Sequence, residues 1–224
     1  MAVKGEVSRV TRTKEEARDS YDRISRWYDL VEGWGEGPYV AKGLERLHAQ
    51  SGERILEIGP GTGHGLVILA QAVGDRNEVY GLDLSEGMIN MARRRAERAG
   101  LTSQIKLQLA EATAVPYESD SFDAVFMSFV LELFDTPEIP VVLRECQRVL
   151  RDGGRISVVA LSKEGQAGFP VRAYEWAHEH WPRLLDCRPI FVQRALVEAG
   201  FEIVSAMEES MWGLPVEIVT AAKS

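Results

Sequence analysis

Apolar positions along this chain keep two rhythms. Short dense runs, Ile55-Leu56-Glu57-Ile58, Glu78 to Leu82 and Phe122 to Phe129, have the length and composition of buried strands. Ile105 to Leu109 alternates apolar and polar, as a half-buried strand does. Longer stretches with helical character lie between them. Strands are therefore expected at 54–58, 78–82, 105–109, 122–129 and 155–161, with helices at 65–73, 86–99 and 136–150. Ser85 has the chemistry of a helix N-cap, and Gly100 suits the left-handed position that ends the same helix. Thr136-Pro137 is read as the cap and first residue of the next helix. Strands alternating with helices over 54–161 predict a doubly wound α/β sheet.

The flanks read differently. Thr13-Lys14-Glu15-Glu16 has capping-box spacing. Ala17, Tyr21, Ile24, Trp27 or Tyr28, and Val31 then recur at three or four, predicting an amphipathic helix that stops before Gly33 to Pro38. A second helix is expected over 39–49, with Val40, Leu44 and Leu47 inward. Residues 162–188 hold Tyr174, Trp176, His178, His180 and Trp181 without a clean period, so a substrate lid is expected there, with Gly165 and Gly168 as hinges. A helix at 190–199, ended by Gly200, precedes strands at 201–206 and 216–222, at least one pair of them antiparallel. The organisation expected is a single domain over 1–224. It comprises an N-terminal helical cap (1–50), a ligand-binding core (51–161), the lid (162–188) and a closing helix and strands (189–224).

Composition narrows the classes. The 224 residues carry a net charge of −8, which argues against nonspecific nucleic-acid binding. Arg93, Arg94, Arg95 and Arg98 crowd one helix, and a solvated face is the simpler account of them. Cys146 and Cys187 lie far apart without metal or redox spacing and are expected to be reduced. The polar N-terminus lacks a signal-peptide core. The longest apolar stretch, Ala124 to Phe134, is broken by Ser128 and Glu132 and is too short to span a bilayer. A cytoplasmic protein without an integral membrane segment is expected, with peripheral access to a lipophilic substrate left open.

The stretch from Glu57 to Gly65 carries the chemistry. Gly59, Gly61, Gly63 and Gly65 alternate after the first strand, where glycine tolerates positive φ and admits a ligand to the backbone. A helix start follows, with free N–H groups and a positive dipole end. A dinucleotide turn wants Gly-x-Gly-x-x-Gly, but His64 holds the third glycine position. A Walker loop would need Gly-Lys-Ser or Gly-Lys-Thr, and the chain has neither. No basic residue lies between Glu57 and Gly65, and Glu57 favours a cationic amine over a phosphate. An NAD-dependent oxidoreductase is disfavoured on these grounds. A noncatalytic binding or scaffold protein is disfavoured because every cofactor motif remains chemically usable.

Glu57-x-Gly59-x-Gly61-x-Gly63 resembles the first motif of class I S-adenosylmethionine-dependent methyltransferases. The resemblance runs through most of residues 54–161. Asp83 ends the second strand twenty residues after Gly63, Glu111-Ala112 follows the third strand, and Ser121-Phe122-Asp123-Ala124-Val125 opens the fourth. Arg148-Val149-Leu150-Arg151-Asp152-Gly153-Gly154 is similar to the family's approach to strand five, with Asp152 where proline is usual. The resemblance implies a Rossmann-like seven-stranded methyltransferase sheet with helices on both faces and the last strand antiparallel.

It also implies roles. Gly59, Gly61, Gly63 and Thr62 would hold the methionine half of S-adenosyl-L-methionine, and Glu57 its amino group. Asp83 would accept from both ribose hydroxyls. Leu84 and Met88 would flank the adenine, with Glu111 and Ala112 at its edge. Ser128, with Phe129 beside it, falls near the sulfonium, and Tyr28, in a Trp27-Tyr28-Asp29 element, would close the methionine end. His178, among lid aromatics, is the candidate base, with His180 its alternative; two histidines without a third ligand make no zinc site. Tyr21 to Leu30 and Ser121 to Leu161 look most like the ubiquinone/menaquinone-biosynthesis C-methyltransferases, implying a small-molecule acceptor such as a quinol or phenolic ring carbon. An N- or O-methyltransferase of an amine, phospholipid headgroup or aromatic metabolite is the alternative.

Overall fold

The computed structural model describes Glu16, residues 35–164 and residues 187–224. Tyr28, His178, His180, most of the first helix and most of the expected lid lie outside these residues. In chain order the elements are α1 (Gly37–Leu47), β1 (Ile55–Ile58), α2 (His64–Val73), β2 (Val79–Asp83), α3 (Glu86–Arg98), β3 (Ile105–Leu109) and β4 (Phe122–Ser128). There follow α4 (Ile139–Val149), β5 (Leu150–Leu161), α5 (Val192–Glu198), β6 (Phe201–Met211) and β7 (Leu214–Lys223). One sheet of seven strands runs in the order β3-β2-β1-β4-β5-β7-β6. β1 to β5 are mutually parallel. β7 is antiparallel to both β5 and β6. The Rossmann-like seven-stranded sheet with its last strand reversed is the architecture expected.

The strands that read as solid apolar runs are the central ones. All four residues of β1 are buried, as are Phe122 to Met127 of β4. Helices cover both faces. Leu44 and Leu47 of α1, Leu66, Leu69, Ala70 and Val73 of α2, and Ala92 and Ala96 of α3 pack with Ile55, Val79, Ala124 and Phe126 on one face. Val142, Leu143, Cys146 and Val149 of α4, with Val192 and Leu196 of α5, pack on the other against Leu56, Val125, Ile156 and Val158. Removing a buried leucine such as Leu56 costs about 2–5 kcal/mol through lost burial and the cavity left behind.

Polar clamps fix the periphery. Arg155 of β5 grips both carboxylate oxygens of Glu53 at 2.7 Å and donates to the carbonyls of Leu47 and His48. That fork ties the end of α1 to the sheet and holds the Glu53 carboxyl below its ordinary pKa against its partial burial. Arg148 of α4 likewise binds Glu145 and the carbonyls of Val115 and Tyr117, anchoring the loop after β3.

Boundaries moved where punctuation residues mislead. The helix expected from Thr136-Pro137 begins at Ile139, with Pro140 in its first turn and Glu138 at the cap position. β5 begins at Leu150 rather than 155, because Gly153-Gly154 is carried inside the strand opposite a register shift between Phe122 and Ala124. The two closing strands form a hairpin longer than expected, turning at Trp212-Gly213.

Candidate active site

In a sheet of this kind a ligand settles outside the carboxyl ends of the parallel strands, where successive crossovers leave in opposite directions. Here that point lies between β1 and β4, which pair side by side from Ile55–Ala124 to Ile58–Met127. The glycine turn sits at this edge. Gly59, Gly61 and Gly63 take φ of 67°, 53° and 84°. The spacing that singled them out reflects this backbone path.

Two of the three also lack room. A Cβ on Gly59 would stand 2.3 Å from the side chain of Val130, and one on Gly63 would stand 2.8 Å from the Cα of Ala92 in α3. Gly65 is crowded for a different reason: its Cβ would meet Glu57 Oε1 at 2.3 Å. The Glu57 carboxyl, 4% exposed, therefore lies beneath the first turn of α2, at the positive end of that helix. No side chain caps that helix, whose N-cap is Gly63. Thr62 is buried and His64 exposed. The Gly59 N–H donates to the Leu82 carbonyl at 2.8 Å, which locks the turn to the end of β2.

The remaining expected positions arrange themselves along the same edge. Asp83 ends β2, and its Oδ1 accepts the Ser85 N–H at 2.9 Å, which fixes the carboxylate's direction. Ser85 caps α3 by accepting from Met88 N at 3.1 Å. Leu84 is half-buried, whereas Met88 is 3% exposed. Ala110 N donates to Asp83 O, bringing the loop after β3 against the end of β2. Glu111 is exposed and accepts from Thr113 Oγ1 at 3.2 Å. Ala112 turns its methyl into the core. Phe129 is also core, edge-to-face with Tyr39 at 6.5 Å between centroids, in a left-handed conformation with φ of 52°.

Three features fit S-adenosylmethionine. The positive-φ glycine cradle admits a ligand to main-chain atoms. The Asp83 carboxylate is held at a strand end, ready for vicinal hydroxyls. The Ser128 hydroxyl oxygen, at the end of β4, is buried and has no hydrogen-bond partner among the described residues.

Sequence reasoning passed over one group in this neighbourhood. Glu132 entered it only as a break in an apolar stretch, yet its side chain is fully buried in the short 3-10 turn Leu131–Leu133 after β4. Its Oε1 accepts the Leu161 N–H at 3.2 Å, while Oε2 is buried with no partner among the described residues. Burial pushes its pKa up to about 8, with Glu36 raising it further and Arg188 pulling the other way. The sequence signal was available: one acid within Phe129-Val130-Leu131-Glu132-Leu133-Phe134.

Among the described residues no cluster of His, Cys, Asp and Glu is placed to hold a metal. No helix of the described residues is long and apolar enough to cross a membrane.

A family model described as a methyltransferase domain matches residues 55–154. The chain is 32% identical over 165 residues to a demethylmenaquinone methyltransferase of Geobacillus kaustophilus (strain HTA426), covering 70% of this chain and 67% of that protein. It is 33% identical over 152 residues to a 2-phytyl-1,4-naphtoquinone methyltransferase of Synechococcus elongatus (strain ATCC 33912 / PCC 7942 / FACHB-805), covering 64% and 62%. Another demethylmenaquinone methyltransferase, from Oceanobacillus iheyensis, is matched over 54% of its length, so the chain spans about half to two thirds of these relatives. A SAM-dependent methyltransferase structure from Aquifex aeolicus superposes with a TM-score of 0.67 at 23% identity, over 91% of this chain and 98% of that one. The [4+2]-cyclase SpnF superposes at 0.76 with 18% identity, over 95% and 97%. At such identities the structures speak for the fold alone. The sequence relative from Geobacillus kaustophilus and the matching methyltransferase domain place this chain in the class I S-adenosylmethionine-dependent methyltransferase family.

Proposed function

We propose that the protein transfers the methyl group of S-adenosylmethionine to the ring carbon of a reduced quinone or related phenol. The observation that carries the acceptor is sequence similarity, over 70% and 64% of this chain, to enzymes named for demethylmenaquinone and phytylnaphthoquinone. The sulfonium supplies an activated methyl group, so the protein's task is mainly placement, exclusion of water and management of one proton.

The residue assignments are part of this proposal. Gly59, Gly61, Thr62 and Gly63 present main-chain atoms to the methionine half, and Glu57, under the helix end, orients that turn and attracts the amino group. Asp83, steered by Ser85, takes the ribose hydroxyls. Leu84 and Met88 flank the adenine, and Ala112 borders its edge through apolar surface and main chain. Glu111 reaches the adenine edge from solvent. Ser128 offers its unpartnered hydroxyl near the sulfonium. Tyr28 closes the methionine end, residues 162–188 form the lid, and His178 contacts the acceptor. A cytoplasmic enzyme reaching a lipophilic acceptor at the membrane surface fits this reading.

Transfer from isotope-labelled S-adenosylmethionine to 1,4-naphthalenediol, catechol, a phenol, a primary amine and phosphoethanolamine, read by mass spectrometry, tests it. Label on a ring carbon is expected. Label only on nitrogen or oxygen would overturn the acceptor while leaving the methyl donor in place.

A further inference from the structure

We propose that Glu132 is the residue that takes the proton from the acceptor's hydroxyl. This rests on the reading above, because only a phenolic or enolic acceptor presents such a proton.

The argument begins with where β4 stops. β4 pairs with β5 as far as Ser128–Val159, and Phe129 N still donates to the Val159 carbonyl at 2.8 Å. The chain then turns away through Phe129 with positive φ. β5 continues to Leu161, so the Leu161 N–H loses its neighbour. Glu132 Oε1 accepts from it at 3.2 Å. Capping one N–H explains one oxygen of the carboxyl, and a glutamine would do it equally well. It does not explain why an ionisable group is buried there, nor why the second oxygen is shut away from water with no partner among the described residues. Leaving such an oxygen unmatched costs roughly 1–3 kcal/mol, more for a charged group.

Position gives that oxygen a use. Glu132 lies two residues beyond Val130, whose side chain fills the space above Gly59 of the cofactor turn. It lies four residues beyond Ser128, whose hydroxyl is also buried and unpartnered. Opposite it runs the segment after β5, joined to Pro189-Ile190 through the Ser162–Ile190 bridge. That segment brings in Arg188, fully buried, which donates to the Phe134 carbonyl and to Thr136 Oγ1. Among the described residues, the charged groups felt at Glu132 are Arg188, two residues before Ile190, and Glu36, at the start of α1. A carboxyl and a buried cation that acts on it thus lie in the segment following β4, whose Val130 packs against Gly59 of the proposed donor turn. A carboxyl shielded in this way titrates near neutral pH, the range in which a base is effective.

The step balances without a further reagent. The Glu132 carboxylate takes the hydroxyl proton. The freed electron pair moves through the ring to the adjacent carbon, which forms the new C–CH3 bond as the S–CH3 bond breaks with its pair left on sulfur. The ring proton on that carbon is then released to solvent, restoring aromaticity.

The test compares the wild-type protein with Glu132→Gln, which keeps an acceptor for the Leu161 N–H but cannot take a proton. Calorimetry with S-adenosylmethionine reports folding and the donor site, and its affinity is expected to be unchanged. Methyl transfer to 1,4-naphthalenediol is expected to fall by roughly 100-fold or more. The wild-type rate should rise with pH through about 8, and the variant's should not. Equal rates in the two proteins, or a wild-type profile flat through that range, would overturn the assignment while leaving the acceptor reading intact. A wild-type protein that binds S-adenosylmethionine but methylates no ring acceptor would overturn both. Should Glu132→Gln not fold, Glu132→Asp takes its place: a lowered rate with a displaced pH profile is expected, and a rate and profile equal to wild type would overturn the assignment.

Discussion

The carboxyl ends of β1 and β4 are neighbours in the sheet and contrast in how they are built. The turn after β1 is a backbone device: three glycines at positive φ, two of them packed against side chains or a helix that leave no space for a Cβ. The turn after β4 is a side-chain device, in which Glu132 completes the main-chain pairing that Leu161 would otherwise lack. A backbone device imposes residue identity through sterics and so leaves a pattern in sequence. A side-chain device needs one residue of the right chemistry at one place, and a single acid leaves no pattern. On the reading proposed above, donor binding concentrates in the first and acceptor chemistry in the second.

The comparison breaks first at Gly63. Gly63→Val forces a β-branched residue to φ of 84° and drives a Cβ to 2.8 Å from the main chain of α3, where no side-chain rotation gives relief. Strain and overpacking together should destabilise the protein by about 4 kcal/mol and abolish measurable cofactor binding. Gly100→Ala is the control: its φ is 71° but nothing lies within 4 Å. It should cost about 1 kcal/mol and leave cofactor affinity alone. Denaturant midpoints and calorimetry separate the two. Equal costs would mean that the close packing at Gly63 matters little beside its dihedral.

The second turn should announce itself in pH dependence. Glu132 has its pKa raised from 4.5 to about 8 on folding. Below about 4.5 both states hold the proton and stability is at its fullest. As pH rises from there to about 8, the unfolded chain gives up the proton while the folded chain keeps it, so stability falls. The loss is on the order of a few kcal/mol. Glu132→Gln should lack this decline, so the difference in denaturation midpoint between the two proteins should widen from pH 4.5 to 8 in the variant's favour. Glu53, Glu78 and Glu145, whose pKa values folding lowers, give the opposite slope at acid pH and cancel in that difference. A constant difference across the window would show that the carboxyl is ionised in the folded state.

Legibility followed the same division. The central strands were readable because burial on both faces leaves unbroken apolar runs, as in Phe122 to Met127. β6 was read too short because its second half, Met207 to Ser210, alternates half-buried and exposed residues on an edge strand and carries two acids. The positions of Glu57 in the first strand and Asp83 at the end of the second could be read because they stand at fixed offsets from the glycines. Ser85 could be found because capping has a local rule, and its hydroxyl accepts from Met88 N as that rule requires. Phe129 could not be assigned: an aromatic at a strand end suits a sulfonium or a core equally, and only its edge contact with Tyr39 decides. Glu132 and Arg188 are 56 positions apart in sequence, and nothing local announces that both are fully buried.

Within the proposed donor site the same logic ranks two acids. Asp83 is tethered by the Ser85 N–H, so little of its freedom remains to be lost on binding. Asp83→Ala should weaken S-adenosylmethionine binding by about 1–3 kcal/mol, the cost of leaving hydroxyls without their partner. Asp83→Asn, which keeps one acceptor oxygen, should recover part of that loss. Calorimetry on both variants checks this, and an unchanged affinity in Asp83→Ala would place the ribose elsewhere.

The smallest effect is expected at Glu111, and it sharpens the ranking. This carboxylate is exposed and accepts from Thr113 in the same loop. A hydrogen bond to the adenine edge from such a position exchanges water for ligand. Glu111→Ala should therefore cost no more than about 0.5–1.5 kcal/mol in cofactor affinity. A weak solvent-screened contact should also fade with added salt where one acting through a fixed neutral hydrogen bond does not. If Glu111→Ala instead matched Asp83→Ala, the loop after β3 would have to close over the adenine on binding. The Ala110 N–H to Asp83 carbonyl bond, which joins that loop to the end of β2, is the contact through which the two acids would then act together. The double variant distinguishes the cases: additive losses mean two independent contacts, and a shortfall means one coupled unit.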